Sequence, residues 1–93
     1  MAIQVEIIGV EPACFRCKET KENADKAAAA LRNDGHEVII TKLNVMDKST
    51  MNKYGVVRTP ALAINGIIKI MGKVPDPGLI ERIIRRELKH GDS

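Results

Sequence analysis

Aromatic side chains are nearly absent: the chain has no tryptophan, one tyrosine and one phenylalanine among 93 residues. A core must therefore be built from Ile, Val, Leu and Ala, and the interleaved aromatic platforms that grip single-stranded nucleic acid are excluded. Cysteine is scarce too, with only two residues, which excludes a small disulfide-stapled scaffold. Long apolar runs are missing: Ala61–Ile64 and Ile67–Met71 fall far short of the ~20 residues that a membrane-spanning helix needs. The first ten residues include Gln4 and Glu6 and no basic cluster, so no secretory signal and no membrane partner are expected. Charge imbalance is small as well. With 15 Lys+Arg against 12 Asp+Glu the net charge is +3, ordinary for a soluble domain, and it points to no class of partner.

What is present is enough for one domain, expected to occupy residues 1–93, since 44% of the residues are hydrophobic and 29% charged. The expected compartment is the cytoplasm, where a cysteine pair is catalytic or metal-binding more often than structural. Ala2–Val10 reads as a strand, with Ile3, Val5 and Ile7 on one face and Gln4, Glu6 and Ile8 on the other, ended by Gly9 and Glu11-Pro12. A helix is expected from about Cys14 to Asp34. Its apolar stripe is Ala24, Ala27, Ala28 and Leu31, at i, i+3, i+4 and i+7, with Gly35 as the C′ residue. His36–Leu43 reads as a second strand, which makes the first three elements a βαβ unit and the strand pair parallel.

A short helix over Lys48–Tyr54 follows, with Asp47 as N-cap and Gly55 as stop. Pro60–Ile64 and Ile67–Met71 are strands joined by Asn65-Gly66, the strongest short hairpin signal because a type I′ turn needs positive φ at both central residues. Leu79, Ile80, Ile83, Ile84 and Leu88 form a final helical stripe behind Asp76-Pro77. The predicted fold class is α/β, three-layer, in the order β-α-β-α-β-β-α around a four-stranded mixed sheet. In the last helix Arg82, Arg85, Arg86 and Lys89 are interrupted by Glu81 and Glu87, and Glu81 can pair with Arg85 one turn on. That pattern describes a solvated face, and no nucleic-acid partner is expected.

The chemistry-bearing motif is Cys14-Phe15-Arg16-Cys17, where the first strand hands over to the first helix. Unpaired N–H groups and the macrodipole at a helix N-terminus favour a thiolate. A spacing of three residues returns the second sulfur to the same side of the helix, within disulfide reach. Such a pair performs dithiol–disulfide exchange, with Cys14 as the attacking nucleophile and Cys17 as the resolving thiol. Arg16 and Lys18 add positive charge beside the sulfurs. Phe15 is either an apolar contact for a partner or a cap on the core. The alternative is a two-thiolate metal-binding or metal-delivery module using the same cysteines. A zinc site is not expected, because His36 and His90 are spaced like no finger pattern.

With that motif after the first strand, Thr59-Pro60 before a β-hairpin resembles the thioredoxin/glutaredoxin superfamily. The stretch from Tyr54 to Gly66 and Gly72-Lys73-Val74-Pro75 are similar to small single-domain redox-active disulfide proteins of archaea and bacteria, and the resemblance runs from Ile3 to Leu88. It implies a cis Thr59–Pro60 peptide beside the disulfide, with Thr59 offering backbone hydrogen bonds to an extended substrate; Phe15 and Arg16, from their own place between the cysteines, are further expected substrate contacts. It also implies disulfide-containing target proteins as partners and a thiol or flavin reductase as electron donor. The protein is expected to be a monomer with no cofactor beyond the Cys14–Cys17 disulfide. The chain departs from the pattern in four places. Ala13 stands where thioredoxins have Trp, Phe15-Arg16 where they have Gly-Pro, Ile8 where they have a buried acid, and Met71-Gly72-Lys73-Val74 lacks the Gly-Gly-acid stretch with which glutaredoxins hold glutathione.

Overall fold

One strand organises the whole molecule. The computed structural model describes residues 2–10, 12 and 14–91, the His90 side chain excepted, so Glu11, Ala13 and the side chain of His90 lie outside the described residues. Strand β1 (Ile3–Gly9) pairs in parallel with β2 (Val38–Asn44) and antiparallel with β3 (Ala61–Ile64), and β3 pairs with β4 (Ile67–Met71). The sheet order is therefore β2-β1-β3-β4. Helices α1 (Phe15–Asn33), α2 (Lys48–Tyr54) and α3 (Pro77–Gly91) complete the predicted order, β-α-β-α-β-β-α. This is not the β-α-β-β-α-β order of small copper chaperones. No helix among the described residues is long and apolar enough to cross a membrane.

The alternation read in β1 decides which layer each side chain joins. Ile3, Val5 and Ile7 face α1 and α3, where they pack with Ala24, Ala27, Ala28 and Leu31 and with Ile80 and Ile84. Alanines on the α1 stripe let that helix lie close to the sheet, since little side-chain volume separates the backbones. On the opposite face Ile8, Val57 and Ala61 are buried against Leu43, Val45 and Tyr54. Helix α2 covers this smaller layer, tied down where the Tyr54 hydroxyl and Lys53 Nζ (2.9 Å) both donate to the Glu6 carboxylate.

Several boundaries differ from expectation for identifiable reasons. Strand β2 begins at Val38 and not at His36, because the His36 N–H is used by the end of α1, donating to the Leu31 carbonyl at 3.0 Å. Strand β3 begins at Ala61 because Pro60 has no N–H for the ladder. Asp47 occupies the N-cap of α2 as predicted, but its side chain makes no capping bond; only its carbonyl engages the helix, accepting the Met51 N–H at 3.0 Å. Asp76 does cap α3, its Oδ1 accepting the Leu79 N–H at 2.7 Å.

The hairpin turn has the expected positive φ at Asn65 (50°) and Gly66 (85°). The Asn65 Oδ1 also accepts the Gln4 N–H at 2.9 Å, which fastens the turn to β1. A feature not foreseen is a bulge: Leu62 pairs with Ile70 and Ala63 with Ile68, so Lys69 is left over. The extra residue sends Ile70 and Ile68 to opposite faces, one to each core layer. Lys69 itself reaches Glu87 on α3 at 2.7 Å.

Candidate active site

Cys14 is the N-cap of α1, with extended backbone (φ −76°, ψ 170°), and its carbonyl accepts the Lys18 N–H at 3.0 Å. Its thiol is exposed, whereas Cys17, in the first turn, is only 3% exposed. Both thiols are free, and their sulfurs share a hydrogen bond at 3.2 Å. Closing that gap to a disulfide bond of ~2.05 Å needs only a small side-chain adjustment.

The two sulfurs are chemically unequal. Once Cys14 ionises, the Cys17 thiol can donate across this contact, and that hydrogen bond is the main reason that the Cys14 pKa lies below the ordinary cysteine value, with the backbone N–H groups of Cys17 and Arg16 adding to it. The sulfur makes no formal cap hydrogen bond, so these N–H groups act as dipoles turned toward the anion. Burial pushes the Cys17 thiol up, opposed by the Val10 N–H that faces its sulfur, and an ionised Cys14 raises it further. One cysteine is thus poised to be an exposed thiolate while its partner stays a buried thiol that donates to it.

Gly9 makes the burial of Cys17 possible. A Cβ built at Gly9 would stand 3.0 Å from the Cys17 Sγ and 3.1 Å from its Cβ, tighter than most real Cβ contacts. The end of β1 and the first turn of α1 meet there with nothing between them but the sulfur. Sequence reasoning took Gly9 only as a strand stop. The available signal was a glycine at the end of an apolar strand just before the cysteine motif, where close backbone approach is a standard reason for glycine.

The Thr59–Pro60 peptide is cis, as the resemblance implied, with Pro60 buried and Thr59 half-buried. Because Ile8 pairs with Ala61, the register sets Pro60 alongside Gly9 and therefore beside the sulfurs. A chain of hydrogen bonds links the same segments: Arg16 Nη2 donates to the Gly72 carbonyl at 2.9 Å, and the Gly72 N–H donates to the Pro60 carbonyl at 2.9 Å. The structure thus unites Cys14, Arg16, Cys17, Thr59 and Pro60 at one end of the sheet. It also brings in Gly72 and Arg58, which sequence reasoning did not single out; a Cβ on Gly72 would lie 3.4 Å from the Arg58 Cδ.

Phe15 is 79% exposed, which excludes the reading of it as a core cap. Two more apolar side chains, Met46 (75%) and Val56 (93%), are left open in loops at this end of the sheet. Met46 follows Val45, whose N–H donates to the Gly9 carbonyl at 2.8 Å.

Among the described residues no carboxylate acts on Cys17 from the sheet face opposite α1. Ile8 is fully buried at the position where thioredoxins keep an acid. Glu6, two residues earlier on that face, is occupied by Tyr54 and Lys53. Burial alone would raise its pKa, but these two donors outweigh burial and hold it below the ordinary glutamate value. Among the described residues no group of three or more His, Cys, Asp or Glu side chains is placed to hold a metal ion. At the other end of the fold, Arg85 is engaged by Glu81 (3.0 Å) and Asp34, in keeping with a salt-bridged, solvated α3 face.

Comparison with known proteins agrees with this geometry. A family model described as a thioredoxin domain matches residues 1–85. Two similar proteins, from Methanothermobacter thermautotrophicus and Methanothermobacter marburgensis, are each named as a probable thioredoxin. Each is 29% identical over 84 residues, spanning 89% of this chain and 94% of the relative.

Proposed function

The chain belongs to the thioredoxin family, and from that premise we propose that it is a dithiol–disulfide oxidoreductase working through Cys14 and Cys17. The observation that carries the reading is the pair of unequal thiols 3.2 Å apart at a helix N-terminus, one exposed and acidified, the other buried.

In the forward direction the Cys14 thiolate attacks a substrate disulfide R–S–S–R′, forming a mixed disulfide with R–S and expelling R′–S⁻, which takes up a proton from solvent. The Cys17 sulfur then attacks the Cys14 sulfur, closing the intramolecular disulfide and releasing R–S⁻. The proton of Cys17 goes to that departing thiolate or to water, since Ile8 supplies no carboxylate to receive it. Two electrons pass to the substrate, and a thiol or flavin reductase returns them to the protein. In this scheme the Thr59 backbone pairs with an extended segment of a target protein, with Pro60 and Phe15 offering apolar contact. A reducing compartment such as the cytoplasm suits the dithiol form.

Turnover of a protein disulfide by wild type, Cys14→Ser and Cys17→Ser tests the scheme. Cys14→Ser should be inactive, and Cys17→Ser should accumulate a mixed disulfide visible by mass spectrometry. Full activity in Cys14→Ser would make the nucleophile assignment wrong. Stoichiometric Cu(I) binding by reduced protein without any disulfide turnover would replace the scheme with the metal-module reading.

A further inference from the structure

Among the described residues, three segments beside the thiols carry charge of one sign only. These are Cys14–Lys18, Val56–Pro60 and Met71–Pro75. They contribute Arg16, Lys18, Arg58 and Lys73 and no Asp or Glu. All four cations are exposed. Among the described residues none of them is ion-paired, whereas Lys21, Lys53, Lys69 and Arg85 all have carboxylate partners elsewhere on the surface.

The fold brings these cations together around Gly72. Arg16 donates to its carbonyl at 2.9 Å, and its N–H is tied to Pro60 at 2.9 Å. The Arg58 stem lies against its Cα, with Cδ and Cβ 3.4 and 3.5 Å from where a side chain would begin. Gly72 has φ +78°, a conformation that keeps the position bare of a side chain. Lys73 is next in the chain, and Lys18 lies one helical turn from Cys14 on the same face of α1. The Arg16 guanidinium and the Arg58 stem thus meet at one glycine, and neither arginine has an ion-pair partner among the described residues.

We propose that this rim selects substrates by charge: the disulfides handled best by Cys14 carry carboxylates or sulfonates next to the sulfur–sulfur bond. This rests on the oxidoreductase reading above and adds a substrate class to it. The rim acts on encounter and on the mixed disulfide, whose anionic half remains beside Arg58 and Lys73. Fields of this kind raise association rates about 10-fold or more at low salt and fade once the Debye length shrinks to a few ångströms.

The test uses three small alkyl disulfides, 3,3′-dithiodipropionate (anionic), bis(2-hydroxyethyl) disulfide (neutral) and cystamine (cationic), each rate being divided by the rate of the same disulfide with free 2-mercaptoethanol to remove differences in leaving-group pKa. The quantity read is the ratio of kcat/KM for the anionic to the neutral disulfide, which cancels any change in the Cys14 nucleophile itself. Wild type at about 20 mM salt should show a ratio several-fold larger than at about 0.5 M salt, with cystamine the slowest. In Arg58→Gln/Lys73→Gln the ratio should fall about 5-fold or more, and in the charge-keeping Arg58→Lys/Lys73→Arg it should survive. A ratio equal in wild type and the Gln variant, or indifferent to salt, overturns the proposal. Failure to turn over even the neutral disulfide would instead sink the oxidoreductase reading. A cystine-bridged peptide flanked by Asp, run beside one flanked by Lys, shows whether the preference extends to acidic protein segments.

Discussion

Replacing Gly9 with alanine probes the closest contact in the site. The added methyl would sit 3.0 Å from the Cys17 Sγ and 3.1 Å from its Cβ, against an ordinary non-bonded separation of about 3.5–4.0 Å. The Cys17 side chain, the end of β1 or the first turn of α1 must therefore give by a few tenths of an ångström, in a layer where both backbones are closely packed. Gly9 is the last residue of a strand bonded on both sides, since its carbonyl accepts the Val45 N–H at 2.8 Å and its neighbour Ile8 pairs with Ala61. Cys17 belongs to a helix whose alanine stripe is already packed on the sheet. Overpacking of this kind costs about 1–3 kcal/mol. For a chain of this length that is a fall in Tm of roughly 4–20 °C in the reduced protein.

The strain should also reach the chemistry. A displaced Cys17 sulfur weakens the hydrogen bond that is the chief cause of the acidity of Cys14, so the Cys14 pKa should rise. Thermal and urea unfolding of reduced wild type and Gly9→Ala measure the first effect, and thiolate absorbance near 240 nm measures the second. Repeating the substitution in Cys17→Ala, which lacks the sulfur, should lower the stability cost by at least about 0.5 kcal/mol. A cost below about 0.5 kcal/mol in the parent would refute the contact as the reason for glycine, and one of equal size in both backgrounds would refute the part assigned to the sulfur, since alanine keeps the Cys17 Cβ.

Other expectations follow from the shifted groups. Alkylation of the reduced protein should modify Cys14 first, at a rate that rises with pH and levels off below the ordinary cysteine pKa of ~8.5, and Cys17→Ala should move that plateau to higher pH because the stabilising S–H donor is gone. Glu6 has a folded pKa below its unfolded value, so the Glu6–Tyr54–Lys53 contact contributes stability that is fully present above about pH 4.3 and is lost as pH falls through the folded pKa. Glu6→Gln should flatten that part of the stability–pH curve, and an unchanged acid limb by urea unfolding would disprove the assignment.

Much of the fold was legible because local signals were strong and agreed. Helix α2 matched to the residue, since Asp47 and Gly55 bracket it. The α1 stripe, the Asn65-Gly66 turn and the Asp76-Pro77 opening of α3 were equally plain. Non-local competition spoiled the rest. The start of β2 depends on which acceptor takes the His36 N–H, and that was decided by the end of α1. The bulge at Lys69 was invisible because Ile67-Ile68-Lys69-Ile70 is compatible with either face pointing inward; only the demand of two core layers for one isoleucine each resolves it. In the site, the cysteine motif was readable from spacing alone. Gly9, Arg58 and Gly72 were not, because each matters through a neighbour far away in sequence that only the β1–β3 register and the loop before α3 bring close.

The site also shows how two identical side chains three residues apart come to differ without a dedicated acid or base. Position in the helix does part of the work: Cys14, at the N-cap, faces solvent and the open N–H groups, while Cys17 is turned inward onto Gly9. The hydrogen bond between the sulfurs then amplifies the difference, since the same proton lowers one pKa and raises the other. Ionisation of Cys14 is therefore coupled to the thiol state of Cys17, and the asymmetry is lost once Cys14 enters a mixed disulfide and no longer carries charge. At that moment the rise that an anionic neighbour imposes on Cys17 disappears, leaving burial opposed by the Val10 N–H. The resolving thiol thus becomes easier to ionise at the step that requires it, a timing set by charge and burial around the two sulfurs even though Ile8 stands where an acid would otherwise be.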